Sequence, residues 1–215
     1  MVAPGVGSGA DNLVDQFDML VELVFQPLRV TMDALESLVA SLLEREGFWV
    51  RSCVKVELTK EEKCIIGRPS SPRWELDLVA YKGGTNELRV VECKSYLDSR
   101  GVSFAGFDGS DERYASRFKL FNEGQLRQVV FQRLVAQMSD EGRIALNPHV
   151  TLCLVAGKIA SDHDRDLLRR HFEKNEWLLW DDEWLRKRLK KIADGGYEND
   201  VTDVVAKIIL RSHRG

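Results

Sequence analysis

Cysteine and histidine are scarce in this chain of 215 residues, with four of each. No two cysteines form a CxxC pair, and the histidines are not grouped at ligand spacing, so a structural zinc site is not indicated. Disulfides are not indicated either, because Cys93 and Cys153 lie in apolar runs that are typical of core strands. Free thiols in a reducing compartment account best for the cysteines.

The chain also lacks a membrane span, a phosphate-binding P-loop and a large basic excess. No apolar run is long enough to cross a bilayer, and residues 1–10 lack the basic start and apolar centre of a secretory signal. The formal net charge of −3 argues against an indiscriminately basic coat for nucleic acid. We therefore expect a cytoplasmic protein with no membrane partner and no nucleotide cofactor.

Hydrophobic residues make up 44% of the sequence, which is enough for one substantial core. Residues 1–30 are predicted to form an N-terminal extension with an amphipathic helix, and residues 31–215 to form the main domain, with helices at its C-terminal end. The apolar face of the extension either covers the core or makes a dimer contact, so a homodimer remains an alternative to a monomer. That face contains Leu13, Phe17, Leu20, Val21, Val24 and Phe25.

The order of the predicted elements indicates an α/β fold. Apolar residues recur at helical spacing over residues 33–46, where Asp33 is suited to begin a helix and Gly47 to end it. Three runs with strand-like composition follow. These runs are residues 48–58, 74–81 and 90–95; helices are predicted near 111 and over 123–138, 162–174, 182–192 and 201–210, and strands over 150–156 and 177–180.

Two of the predicted strands carry charged side chains where burial makes charge costly. Asp77 interrupts the second apolar run, and Glu92 and Lys94 interrupt the third. Because side chains alternate along a strand, Glu92 and Lys94 share one face, while Val91 and Cys93 share the other. The lysine is therefore expected to lie beside an acid.

The turn-rich segment at residues 83–86 predicts a hairpin between these two strands. A hairpin centred on this segment places Asp77 directly opposite Glu92, and Glu75 opposite Lys94. Side chains in such positions have Cβ atoms roughly 4.5–5.5 Å apart. We therefore expect the two key carboxylates to lie close together, with Glu75 as a further partner for the amine.

Asp77 and Glu92 would repel each other at this distance unless they bind a cation. A hard divalent cation such as Mg²⁺ takes carboxylate oxygens as ligands and keeps positions open for water and phosphate. The alternative is that these are solvated charges, with Asp77 paired to Lys82 or Glu92 paired to Lys94. The residues alone leave both interpretations open.

The motif of Asp77, Glu92 and Lys94 resembles that of the PD-(D/E)XK nuclease superfamily, which includes many restriction endonucleases and Holliday-junction resolvases. Leu76 precedes Asp77 where the fullest form of the motif has proline. The resemblance implies a restriction endonuclease-like αβββαβ core, a mixed central sheet flanked by helices, with extra N-terminal and C-terminal helices here. It also implies a Mg²⁺-dependent endonuclease that hydrolyses DNA phosphodiester bonds.

In this superfamily the aspartate and the glutamate bind the metal, a backbone carbonyl between glutamate and lysine assists, and the lysine orients or activates water. By resemblance these roles fall on Asp77, Glu92, the backbone carbonyl of Cys93, and Lys94, with Mn²⁺ able to replace Mg²⁺. Two alternatives stay open. One is a catalytically inactive module of the same fold that binds DNA or serves assembly, and the other is an RNA-processing nuclease.

Glu36 is a candidate for a fourth catalytic residue, because many members of the superfamily carry an additional active-site glutamate on the corresponding helix. It would hold a second ion or a water molecule. The alternative is structural, since Asp33-x-x-Glu36 also matches a capping box, in which the glutamate accepts a hydrogen bond from a backbone N–H.

Arg113 and Arg117 are candidates for contact with DNA. They interleave with Tyr114 and Phe118, and this combination can bind phosphates and stack on bases. The alternative is that the aromatic rings pack in the core while the arginines form a solvated helix face.

Gln125 and Gln128 are further candidates for substrate contact. They lie on one polar stripe of the predicted helix that follows, where some superfamily members place a glutamine near the active site. Gln132 stands where the related Gln-x-x-x-Tyr pair has tyrosine. A stripe that faces solvent is the alternative.

Overall fold

A five-stranded mixed sheet organises residues 33–71 and 73–210, which are the residues that this computed structural model describes. The strands lie in chain order across the sheet. β1, β2 and β3 are antiparallel neighbours, whereas β3, β4 and β5 are parallel. They span Trp49–Val56 (β1), Trp74–Lys82 (β2), Glu87–Lys94 (β3), His149–Ala156 (β4) and Leu178–Trp180 (β5).

Helices flank this sheet and follow it at the C-terminal end, which confirms the predicted α/β class. The amphipathic helix predicted within residues 1–30 lies outside the described residues. The helices are Ala34–Arg45 (α1), Lys60–Ile65 (α2), Glu112–Ala115 (α3), Lys119–Asn122 (α4), Gly124–Asp140 (α5), Asp162–Lys174 (α6), Asp182–Asp194 (α7) and Val201–Leu210 (α8).

Most of these helices begin and end where the sequence predicts. Asp33 precedes α1 and accepts a hydrogen bond from the N–H of Leu35 at 2.7 Å. The short helix α2 was not predicted, although Thr59 and Glu62 form a capping box in which each side chain accepts from the other residue's backbone N–H. The pattern Thr-x-x-Glu was the available signal for it.

Apolar side chains form one core on each face of the sheet. Core A lies between the sheet and the helices α5 and α6, where Leu126, Leu134 and Phe172 are almost fully buried. Core B lies between the sheet and the helices α1 and α7 and contains Val39 and Leu185. Full burial of one such side chain contributes roughly 1.5–3 kcal/mol relative to exposure, so the two cores hold the sheet between helical layers.

The connection between β3 and α5 is fixed by aromatic packing rather than left open. The ring of Phe107 lies 4.6 Å from that of Phe118 and 5.5 Å from that of Phe172, measured between centroids. Asp111 caps α3 and accepts a hydrogen bond from the N–H of Tyr114, as the predicted helix start requires. Phe118 is 1% exposed, which confirms for this ring the alternative that it packs in the core.

Two charged residues anchor the C-terminal helices. The side chain of Asp181 accepts a hydrogen bond from the N–H of Trp184 and caps α7. Lys207 of α8 donates to the carbonyls of Ile192 and Gly195, where α7 ends. Of the helices in the described ranges, none combines the length and the apolar composition needed to span a membrane.

Candidate active site

The hairpin of β2 and β3 has the register that the sequence predicts. Lys82 is opposite Glu87 and Leu78 is opposite Val91, and the paired ladder ends there. Asp77 lies one position beyond the last pair, at the point where the two strands separate. Separation at this point leaves room for side-chain chemistry between the strands.

The side chain of Asp77 takes over a hydrogen bond at this point of separation. Its Oδ2 accepts from the backbone N–H of Cys93 at 2.7 Å, so a carboxylate replaces a backbone carbonyl as the acceptor. This bond fixes the distance between Asp77 of β2 and the Glu-x-Lys segment of β3. The aspartate is therefore held beside the other two charged residues by the backbone itself.

Lys94 lies between the two acids. Its Nζ is 2.5 Å from Oε1 of Glu92 and 4.0 Å from Oδ2 of Asp77, and all three side chains are largely buried. The contact between Glu92 and Lys94 confirms that they share one face of β3. Glu75 is not the partner of the amine as expected, because it is exposed and lies opposite Lys55 of β1.

Burial and neighbouring charges perturb both members of this pair. Burial raises the pKa of Glu92; Lys94 opposes that shift, and Asp77 adds to it. Burial acts to lower the pKa of Lys94, but the negative charge of Glu92 and its hydrogen bond outweigh burial and raise it. The cluster thus holds more negative charge than one lysine neutralises.

Glu36 reaches the same cluster from α1. Burial raises the pKa of its carboxyl group, the charge of Asp77 raises it further, and a hydrogen bond with the backbone of Asp33 opposes both. Glu36 therefore lies within electrostatic reach of Asp77, in the first turn of α1. Its role, as an active-site acid or as a capping residue, stays a prediction.

Cys93 contributes its backbone rather than its thiol. Its side chain packs against core B, and burial, together with the charge of Asp77, raises the pKa of the thiol well above its ordinary value. Its N–H is already used by Asp77. The backbone carbonyl is therefore the group of Cys93 that remains for a cation.

Gly157 supports the backbone on the far side of Lys94. Its N–H donates to the carbonyl of Lys94 at 2.9 Å, and a Cβ at this position would lie 2.5 Å from the carbonyl oxygen of Ser95. No side chain fits without movement of that backbone. In the sequence, Gly157 indicates only the end of a strand, so this contact was not predicted.

Arg117 is connected to the site through Tyr96, which follows Lys94 by two residues. A hydrogen bond with the Tyr96 hydroxyl raises the pKa of Arg117, and its guanidinium lies 5.9 Å from the ring centroid of Tyr114. Tyr96 has a left-handed backbone, with φ of +44°, and nothing in the sequence pointed to it. The role of Arg117 as a phosphate contact stays a prediction.

The structure gives less support to the other predicted substrate contacts. Arg113 is exposed on α3, and Gln125 and Gln128 are exposed on α5, whose apolar face packs in core A. Among the described residues, none of these three forms a hydrogen bond or ion pair with Asp77 or Lys94. Their role in binding substrate stays a prediction.

Within the described ranges, no three side chains of His, Cys, Asp or Glu are gathered tightly enough to hold a metal ion. In this arrangement an oxygen of Glu92 contacts Lys94, and an oxygen of Asp77 contacts the Cys93 N–H. Comparisons with protein families, with curated proteins and with solved structures return no match for the chain. The site therefore has to be interpreted from its own chemistry.

Proposed function

We propose that the chain is a Mg²⁺-dependent endonuclease of the PD-(D/E)XK type that hydrolyses phosphodiester bonds of DNA. The observation that carries the proposal is the placement of Lys94 between Glu92 and Asp77, where β2 and β3 separate. A lysine beside two buried acids at a strand end is costly for the fold. Such costs are typical of functional sites.

The residues present fit a hard divalent cation. Asp77, Glu92 and the carbonyl of Cys93 supply oxygen ligands, and Glu36 supplies a further carboxylate nearby. The excess negative charge of this cluster favours a cation. Bound there, Mg²⁺ would offset the charge that develops on the phosphate and would lower the pKa of a water ligand.

The protein groups have separable tasks in this proposal. The Cys93 N–H already orients Asp77, so no further side-chain conformational freedom is lost when the free oxygen of Asp77 binds the metal. The ammonium group of Lys94 donates hydrogen bonds to the attacking water and to a phosphate oxygen. Arg117 binds a neighbouring phosphate of the strand.

A catalytically inactive DNA-binding or assembly module is the second candidate. The observation in its favour is the 2.5 Å contact between Lys94 and Glu92, since a closed ion pair also satisfies both groups without a metal. On this alternative the cluster is a structural device at the strand end. The two candidates differ in metal binding and in catalysis.

Cleavage assays on the full chain test the proposal. The substrates are linear, nicked, single-stranded and four-way DNA, with an RNA of the same sequence, each with Mg²⁺ and with EDTA. We expect Mg²⁺-dependent cleavage of DNA by the wild type, and a loss of at least about 100-fold in rate for Lys94→Ala with DNA binding retained. Faster cleavage of the RNA would point instead to an RNA-processing nuclease.

Lys190→Ala is the matched control, because Lys190 is an exposed lysine of α7. It should cut as fast as the wild type. A contaminating nuclease would give equal cleavage in every preparation. Undiminished Mg²⁺-dependent cleavage by Lys94→Ala refutes the assignment of Lys94 as a catalytic residue. Absence of cleavage by the wild type, together with no metal binding that depends on Asp77, would favour the inactive module.

A further inference from the structure

Cys53 has an unusual backbone conformation inside a β-strand. Its φ is +50°, in the left-handed region, although it belongs to β1 and is not glycine. A residue with a Cβ pays roughly 1–2 kcal/mol in that region. The surrounding structure must compensate for this cost, and such costs cluster at functional positions.

Cys53 lies directly opposite Asp77. On either side of it, Ser52 is paired with Leu78 and Val54 with Leu76, so the position between these pairs joins Cys53 to Asp77. Burial raises the pKa of the Cys53 thiol, and the charges of Glu36, Glu75 and Asp77 raise it further. The unusual residue is therefore next to the proposed metal ligand on the neighbouring strand.

β1 changes faces at this position. Phe48 and Val50 pack in core B, whereas Val54 and Val56 pack in core A. Regular alternation would direct all four side chains to one face, because their numbers differ by multiples of two. The left-handed residue between them accounts for the change, since it reverses the direction of the next peptide.

β2 changes faces at the same level. Trp74 and Leu76 pack in core A, whereas Leu78 and Ala80 pack in core B. Asp77 lies at the point of change, and its carboxylate contacts the N–H of Cys93 on β3 instead of entering either core. Because β1 and β2 both change faces at this level, the side chain of Asp77 is directed toward β3.

We propose that Cys53 is a positioning residue that directs the carboxylate of Asp77 into the site through its left-handed backbone. The task belongs to the backbone and not to the thiol. Residues that adopt positive φ readily should replace Cys53, and residues that favour extended backbone should not. The inference rests on the proposed function, because it concerns the aspartate proposed to bind the metal.

Three substitutions in the full chain separate backbone from side chain. Glycine adopts φ of +50° without a Cβ penalty, and asparagine tolerates this region better than most residues. Valine is β-branched and favours extended backbone. Cys64→Val is the control for loss of a thiol, because Cys64 is an exposed free cysteine on α2.

The readouts are the dissociation constant for Mn²⁺ by calorimetry, the urea midpoint, and far-UV circular dichroism. We expect Cys53→Gly and Cys53→Asn to bind Mn²⁺ like the wild type, with a midpoint for Cys53→Gly at or above the wild-type value. We expect Cys53→Val to bind about tenfold more weakly, since small displacements of a ligand are costly. Cys64→Val should match the wild type.

Each opposite result overturns the inference. Wild-type affinity in a folded Cys53→Val shows that the backbone at residue 53 does not position Asp77. If Cys53→Val fails to fold, weaker binding by Cys53→Gly and Cys53→Asn still refutes the inference, because the side chain itself would then be needed. Failure of the proposed function looks different: Asp77→Asn would then bind Mn²⁺ as the wild type does.

Discussion

The chain contains two clusters in which buried carboxylates contact cations, and they differ in how completely the charges are matched. Where β2 and β3 separate, two acids, Glu92 and Asp77, share the amine of Lys94, and the charge of Asp77 also acts on Glu36. Burial raises the pKa of Glu92 and of Glu36, and neighbouring acids add to both shifts. This cluster therefore carries an excess of negative charge.

Between α6 and α7 a buried carboxylate is bound by two arginines. The carboxylate of Asp181 accepts from Arg165 at 2.8 Å, from Arg169 at 2.7 Å and from the N–H of Trp184 at 2.9 Å. Burial acts to raise the pKa of Asp181, but these hydrogen bonds outweigh it and hold the pKa below its ordinary value. This carboxylate is fully satisfied by the protein.

The difference teaches which cluster is available to a ligand. A satisfied carboxylate stabilises the fold and gains nothing from an added cation. An unsatisfied one costs stability in the free protein and regains it when a cation binds. The comparison predicts unequal losses of stability from the same isosteric change of aspartate to asparagine.

The largest expected effect is on stability. Asp181→Asn keeps the helix cap but removes the buried charge that Arg165 and Arg169 share, while Arg165 keeps Asp182 and Arg169 keeps Glu183 as partners. We therefore expect a loss of about 2 kcal/mol in the free energy of unfolding. Asp77→Asn keeps an acceptor for the Cys93 N–H and removes repulsion from Glu92, so the change should stay within about 1 kcal/mol. Urea denaturation without divalent metal measures both. Equal losses would break the comparison.

A smaller effect is expected on metal affinity. Lys94 occupies the space between the acids where a cation would lie, so Lys94→Met should bind Mn²⁺ about tenfold more tightly than the wild type, while cleavage is lost. Calorimetry measures the affinity, and Lys190→Met serves as the exposed control. Weaker binding by Lys94→Met would mean that the amine assists the metal and does not compete with it.

The smallest effect is a pH dependence at Asp181. Its folded-state pKa lies below that of an unfolded aspartate, about 3.9, so its contribution to stability is complete above that pH and is lost as pH falls through the folded value. The stability difference between the wild type and Asp181→Asn should therefore be constant from pH 7 to pH 5 and shrink below pH 4. A difference that grows under acid would contradict the lowered pKa.

The hairpin of the candidate site could be predicted because its causes are local. The turn at residues 83–86 sets the register, and strand alternation sets the shared face of Glu92 and Lys94. The element order followed from periodicity and from capping residues such as Asp33. These signals are contained in short stretches of chain.

The remainder could not be predicted because it depends on contacts between distant segments. The left-handed backbone of Cys53 is found only in the folded sheet, and no residue type marks it in the sequence. The expectation that Glu75 pairs with Lys94 was wrong, because the strands separate before that pair can form. The pairing of Arg165 and Arg169 with Asp181 was not predicted, because only the fold brings these segments together.

Gly157 has a consequence for which sequences can encode this site. Because glycine has no side chain, the backbone of Lys94 and Ser95 can occupy the space beside residue 157. The backbone of the site on β3 therefore restricts which residue type can stand at the end of β4. Natural variants of this chain should therefore retain glycine at position 157 even where the apolar residues before it change among themselves. A variant that loses both Gly157 and Lys94 would mark a lineage in which the site has been abandoned and the fold kept.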